Sequence, residues 1–185
     1  MPARATVYCT RTLEHLTRSM LWTALKQADW HTLAEWFGIE NEEAVADAAL
    51  QHLQLEPAMP ESFDWLEIYY RPEGLRPVSV KRFVQGDAEG HVKDMREELE
   101  RGAADRSDAG LVRVFTHLAQ VQEVVSIEFS AQPWNDPGWP MGEVIAYEVA
   151  RWVAKNGDGY VEDHGRSWWA LDGWTWKQID VRSRS

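Results

Sequence analysis

Glu162, Asp163 and His164 are consecutive and combine two carboxylates with an imidazole, which are the groups that general acid–base catalysis uses. They fall on a predicted strand, where adjacent side chains point to opposite faces of the sheet. Residues 163–166 equally predict a turn, because Asp and Gly are favoured in turns. We therefore expect these residues to close a turn rather than to form a catalytic pair.

Two further places offer candidate metal ligands or a nucleophile. His31 and Glu35 are four residues apart on a predicted short helix, so both could reach one metal ion, but the sequence supplies no third ligand for it. Cys9 lies on a predicted buried strand, and no neighbouring group would lower the pKa of its thiol. We expect no metal ion, no cofactor and a purely structural thiol at Cys9.

Glu123 lies on the apolar face of a predicted strand over residues 122–129. A buried carboxylate there could serve catalysis, but a position at the edge of the sheet, or a basic partner such as Arg113, explains it better. The signatures GxGxxG, GxxxxGK[ST], GxSxG, HExxH and CxxC do not occur in the sequence. The sequence therefore favours a binding protein over an enzyme.

Charge is the strongest functional signal in the chain, which carries 30 acidic and 19 basic residues and a net charge of −11. Binding to nucleic acid phosphates or to anionic lipid depends on Lys and Arg, so this balance argues against both. A basic partner is favoured instead. Residues 27–70 contain no Lys or Arg but ten acids: Asp29, Glu35, Glu40, Glu42, Glu43, Asp47, Glu56, Glu61, Asp64 and Glu67.

Part of this acidic run has an ordinary structural cause. Asp29 is placed to cap a helix, and Glu42 and Glu43 follow a predicted cap at Asn41, where the helix dipole favours anions. The acids without such a local cause are the candidates for contact with a partner: Glu35, Glu40, Asp47, Glu61 and Asp64. The alternative is a solvated face that only aids solubility.

A second candidate surface is the loop over residues 130–140, which holds three prolines and two tryptophans. Loops often carry function, and tryptophan is enriched at binding hot spots. Trp134 and Trp139 are therefore candidate partner contacts. The alternative is that both rings fold down and cover the core.

Composition indicates one globular domain, because 185 residues with 44% apolar side chains can bury a core. A single cysteine excludes an intramolecular disulfide and agrees with a reducing compartment. The first ten residues lack the apolar stretch of a signal peptide, and no apolar run approaches 18 residues. We expect a cytoplasmic protein.

The predicted elements run strand, three helices, two strands, two helices, strand, helix and at least two strands. This clustered order indicates an α+β fold with a mostly antiparallel sheet and several helices packed on it. Asp172 and Gly173 predict a two-residue hairpin turn near the C-terminus. Four apolar residues would then share one face of that hairpin: Trp169, Leu171, Trp174 and Trp176.

The C-terminal third resembles the close of small bacterial immunity proteins of polymorphic toxin systems. It has an amphipathic helix ending in Lys155-Asn156-Gly157, then GDGYVEDHGRSWW: a glycine turn, a strand ending in Asp, a Gly and two aromatics. The acidic segment ADWHTLAEWFGIENEEAV is similar in character but matches no defined motif. The resemblance implies a protein without catalysis that binds a cognate toxin and blocks its active site, and it transfers no binding residue.

Two other interpretations stay open. Clustered carboxylates can imitate phosphates, so a phage-encoded DNA mimic that blocks a nucleic-acid enzyme is the first alternative. A small enzyme of unknown reaction that uses Glu123 or residues 162–164 is the second.

Overall fold

The computed structural model describes residues 2–40, 42–58, 61–71, 77–102, 109–130, 139–163, 167–173 and 175–181. Within them, eight strands form one antiparallel sheet in the order β2-β3-β4-β5-β1-β6-β7-β8. The fold is of the α+β class, as the sequence predicts. Along the chain the elements are β1 (Pro2–Cys9), α1 (Arg18–Gln27), α2 (Trp30–Trp36), α3 (Glu42–His52), β2 (Gln54–Glu56), β3 (Trp65–Tyr69), β4 (Val78–Val84), α4 (Gln85–Gly102), α5 (Ala109–Leu118), β5 (Glu123–Ser130), α6 (Trp139–Gly157), β6 (Gly159–Asp163), β7 (Trp168–Asp172) and β8 (Thr175–Ile179).

Each face of the sheet carries its own layer of helices. Alternate residues of β1 divide between the two layers, since Val7 packs with the larger core and Tyr8 with the smaller one. The larger core includes buried residues of α1, α2, α3 and α6. The smaller core includes buried residues of α4 and α5. The acidic run therefore lies in the layer that α6 shares.

The first helix begins at Arg18, although the apolar spacing of Leu13, Leu16 and Met20 in the sequence favours a helix that begins at Thr12. Thr17 caps α1 by accepting a hydrogen bond from the backbone N–H of Met20 at 3.2 Å, which fixes the start of the helix. The buried face is then Leu21 and Leu25, whereas Met20 is 43% exposed. Leu13 is buried in the segment before the helix.

The tryptophan-rich C-terminal strands are present, but the turn between them falls one residue later than predicted. Leu171 pairs with Trp176, and Asp172 pairs with Thr175, so Asp172 belongs to the strand and the turn begins at Gly173. Gly173 has φ of 64°, which glycine adopts without steric cost. The pairing shifts by two residues, so Trp169, Leu171 and Trp176 still pack on the same core. Trp174 lies outside the described residues.

The second predicted helix begins as expected, because Asp29 accepts a hydrogen bond from the backbone N–H of Thr32 at 3.2 Å. The predicted cap at Asn41 lies outside the residues with a described placement. Across the described ranges, no helix is both long and apolar enough to cross a membrane.

Candidate partner-binding surface

The helices α2 and α3 pack against each other and are joined by residues 37–41, a connection of the length typical of antiparallel helix pairs. His31 of α2 contacts α3, because its Nε2 lies 3.6 Å from Oδ1 of Asp47. Glu35 is one turn after His31 and Glu43 is one turn before Asp47, and residues four apart lie on the same side of a helix. The charged side chains on these two sides of α2 and α3 meet at the His31–Asp47 contact, and we call them the ridge.

The carboxylates of this ridge point into solvent. Four acids of α2, α3 and their connection are exposed: Glu35, Glu40, Glu43 and Asp47. Asp47 has His31 as its partner. In the part of the chain that the structure describes, the other three side chains have no ion pair and no hydrogen bond. We call α2, α3 and residues 37–41 the acidic helix pair.

Glu61 and Asp64 lie apart from this ridge, and the expectation that they lack a local structural role is wrong. Glu61 accepts hydrogen bonds from Oγ of Ser19 at 2.8 Å and from its backbone N–H at 3.2 Å, at the start of α1. These bonds lower the pKa of Glu61. Asp64 lies 3.2 Å from Nη1 of Arg82. Both acids are exposed but also hold neighbouring elements in place.

The acidic helix pair also exposes two aromatic side chains that the sequence reasoning did not select as contacts. Trp36 is 69% exposed at the end of α2, and Phe37, which follows it, is 40% exposed. Periodicity could have identified Trp36, since it lies about 140° around α2 from the centre of the buried stripe of Trp30 and Ala34. Phe37 follows it as the C-terminal cap of α2.

Phe37 connects the acidic helix pair to α6. Its ring centroid lies 5.7 Å from that of Tyr147, which in turn lies 6.0 Å from the ring of Phe129. Tyr147 is two turns beyond Trp139, where α6 begins. Trp134 lies outside the described residues, and the side chain of Trp139 is not described. The end of the acidic helix pair thus adjoins the helix that follows the predicted tryptophan loop.

Glu123 is a structural residue with a basic partner, as expected, but the partner is Arg82 rather than Arg113, and the predicted edge position is wrong. It is 3% exposed on β5, a central strand rather than an edge. Its carboxylate accepts hydrogen bonds from Nε and Nη2 of Arg82 at 2.8 and 2.9 Å. It also accepts one from the backbone N–H of Leu13 at 3.0 Å. Arg113 instead donates to the hydroxyl of Tyr160 at 2.8 Å. The pairing of β4 with β5 places Arg82 beside Glu123.

Asp163 shapes the hairpin between β6 and β7. Its carboxylate accepts hydrogen bonds from the backbone N–H of Ser167 at 3.0 Å and from Nε1 of Trp169 at 2.9 Å. Its neighbour Glu162 is buried and pairs with Thr6 on β1. His164 lies outside the described residues. Glu162 and Asp163, two of the three residues considered for acid–base chemistry, thus lie at adjacent positions of one strand, and Asp163 has a structural role.

Cys9 and His31 have ordinary structural surroundings. The thiol of Cys9 is fully buried, and burial raises its pKa. Its Sγ would be 2.6 Å from a Cβ at Gly157, so it packs tightly against the end of α6. His31 contacts Asp47. The described ranges contain no group of three His, Cys, Asp or Glu residues that could hold a metal ion.

The acidic helix pair has the chemistry of a protein-binding surface. Exposed carboxylates steer an oppositely charged partner, and an exposed tryptophan can supply a buried anchor. No protein-family model, curated protein or solved structure matches the chain.

Proposed function

We propose that this protein is an inhibitor that binds a basic protein through the acidic helix pair and covers the active site of that partner. The observation that carries the proposal is the exposure of Trp36, at 69%, on a surface with four exposed carboxylates and no Lys or Arg. Hot spots of protein interfaces are enriched in tryptophan, and complementary charge fixes the register around them.

The charge of the whole chain supports a basic partner. The net charge of −11 repels anionic partners and attracts cationic ones at distances up to about 10 Å at 0.1 M salt. The carboxylates of Glu35 and Glu40 add a local field at the place where the aromatic rings are exposed. The carboxylates that would attract a basic partner and the aromatic ring that would anchor it thus lie on the same surface.

The partner that fits best is a toxin of a bacterial polymorphic toxin system, with this chain as its cognate immunity protein. The resemblance of the C-terminal third supports this class, and the buried single cysteine agrees with a role in a reducing cytoplasm. Such a protein acts by occlusion and needs no catalytic residue of its own.

A second candidate is a DNA mimic that blocks a nucleic-acid enzyme. The exposed carboxylates Glu43 and Asp47, one turn apart on α3, together with Glu35 on α2 favour it, because a row of anions can occupy a phosphate-binding cleft. A competition experiment with DNA distinguishes the two candidates. DNA would displace a mimic from its partner, but it would not displace an immunity protein from a toxin whose substrate is not nucleic acid.

Affinity capture from a lysate of the source organism, followed by mass spectrometry, tests the proposal. The parent chain is compared with the triple variant Glu35→Lys, Glu40→Lys, Asp47→Lys. The matched control carries the same charge change on α4, at exposed acids on the other face of the sheet: Glu89→Lys, Glu97→Lys, Glu100→Lys.

We expect the parent and the α4 control to retain one basic protein and the first triple variant to lose it. That protein, made separately, should lose its activity on addition of one equivalent of this chain. Equal capture by both triple variants, or a captured protein whose activity is unaffected, would contradict the proposal.

A further inference from the structure

Glu143 is a carboxylate in an unfavourable position for an isolated charge. It lies on α6 and is only partly exposed. Burial raises its pKa, and no neighbouring charge contributes to that shift. Among the side chains with described positions, none forms an ion pair or a hydrogen bond with it. A partly dehydrated carboxylate without a cation costs free energy that a suitable ligand would recover.

Aromatic rings lie beside this carboxylate. Tyr147 follows Glu143 by one helical turn, so their side chains are neighbours on the surface of α6. The ring of Phe37 lies 5.7 Å from that of Tyr147. Phe37 is exposed and Tyr147 is partly exposed, so the pair presents ring surface to solvent next to an unpaired carboxylate.

We propose that Glu143 and Tyr147, with Phe37 in contact with the Tyr147 ring, form the site for one arginine side chain of the partner protein; this inference rests on the proposed function. A guanidinium matches a carboxylate with two parallel hydrogen bonds and stacks on aromatic faces, and it loses less hydration than an ammonium. The same three groups suit no anion, because Glu143 repels it.

The surroundings of Tyr147 add to the attraction for a cation. Burial raises the pKa of the Tyr147 phenol, and the negative charges of Asp163, Glu143 and Glu162 raise it further. Three carboxylates therefore lie close enough to act on this ring. A cation placed over it gains from the ring and from the nearby carboxylates together.

Three capped amino acids test the site directly on the isolated protein: Nα-acetyl-arginine methylamide, the lysine analogue, and the citrulline analogue, which keeps the shape of arginine but is neutral. Backbone amide shifts in NMR spectra report binding. We expect saturable shifts at Glu143, Tyr147 and Phe37 with arginine, weaker shifts with lysine and none with citrulline.

Substitution then assigns the contacts. Glu143→Gln keeps the shape of the side chain and should weaken arginine binding about fivefold or more, the effect of losing a charge-assisted pair. Phe37→Leu should weaken it about twofold to threefold through the lost ring contact. Glu100→Gln, on the far face of the sheet, should leave it unchanged. Equal binding of citrulline and arginine, or no effect of Glu143→Gln in a folded variant, would overturn the site.

This result is separable from that of the proposed function. If the Glu35, Glu40 and Asp47 triple variant loses the partner while arginine binds without any dependence on Glu143, the function stands and the site is wrong. If arginine binds at Glu143 while the triple variant still binds the partner as fast as the parent does, the site stands and the acidic helix pair is not the interface.

Discussion

The ring centroid of Phe37 lies 5.7 Å from that of Tyr147, and this contact joins the acidic helix pair to α6. The acidic run and the tryptophan loop are far apart in sequence, and the sequence offers them as alternative surfaces. The contact instead brings the end of α2 to within two helical turns of Trp139. The acidic helix pair therefore adjoins α6.

Trp36→Ala should weaken partner binding by about 2 kcal/mol or more, because an exposed tryptophan inside an interface is a typical hot spot. The free energy of unfolding should change by less than about 0.5 kcal/mol, since the ring buries little surface in the free protein. Trp65→Ala is the matched control, as Trp65 is 50% exposed at the start of β3. Calorimetric titration with the captured partner measures the affinity of both variants, and urea unfolding measures their stability. Equal losses for the two variants would remove Trp36 from the interface.

Glu143→Gln should stabilise the free protein at neutral pH. The folded state raises the pKa of Glu143 above its ordinary value of 4.5, so it binds the proton more tightly than the unfolded chain does. The contribution of this group to the free energy of unfolding is therefore fully present below pH 4.5, and it is lost as pH rises through the raised pKa. Urea unfolding of parent and variant across this range should show a gap that opens with increasing pH. A gap that is constant or closes would contradict an unpaired Glu143.

Arg82→Ala should destabilise the fold by about 3–5 kcal/mol, because it leaves the buried carboxylate of Glu123 without its cation. The side chains of Arg82 and Glu123 are only 9% and 4% exposed, so water cannot easily replace the lost partner. Arg113→Ala should cost much less, since it removes a contact to Tyr160 that is exposed. Chemical denaturation of both variants tests this. Similar losses would argue against the pairing of Arg82 with Glu123.

Gly173→Val should destabilise the C-terminal hairpin by about 1–2 kcal/mol, because a β-branched residue resists a positive φ. Gly173 has φ of 64°, and no atom lies within 4 Å of a Cβ placed there, so the cost is conformational and not steric crowding. Gly173→Asn separates these causes, since Asn tolerates the left-handed region. Thermal unfolding should rank glycine first, Asn next and Val last. A variant with Val as stable as the parent would contradict the assigned turn.

Local sequence signals predicted much of the fold. Alternation identified β3 and β5, a turn rich in Pro and Gly before Val78 identified β4, side-chain capping identified the start of α2, and the apolar stripe of Met141, Ile145 and Val149 identified α6. The start of α1 was missed because the cap at Thr17 outweighs an apolar spacing that continues on both sides of it.

Contacts between residues far apart in the chain could not be predicted from such local signals. Glu123 has Arg82 as its partner only because β4 lies beside β5, and nothing within either segment encodes that neighbour. The same holds for the meeting of Phe37 with Tyr147. The exposed position of Trp36, by contrast, follows from helical periodicity alone and was available in the sequence.

The most direct test of the central claim is the association rate of the captured partner with the Glu35, Glu40 and Asp47 triple Lys variant. It is measured beside the parent and the α4 control at about 0.01 M and about 1 M ionic strength, where charges are screened over about 30 Å and about 3 Å. We expect this variant to associate about tenfold more slowly, or slower still, at low salt. The control should be slowed much less, and all three rates should converge at high salt. Equal rates for the variant and the parent at low salt, or equal slowing of both triple variants, would contradict it.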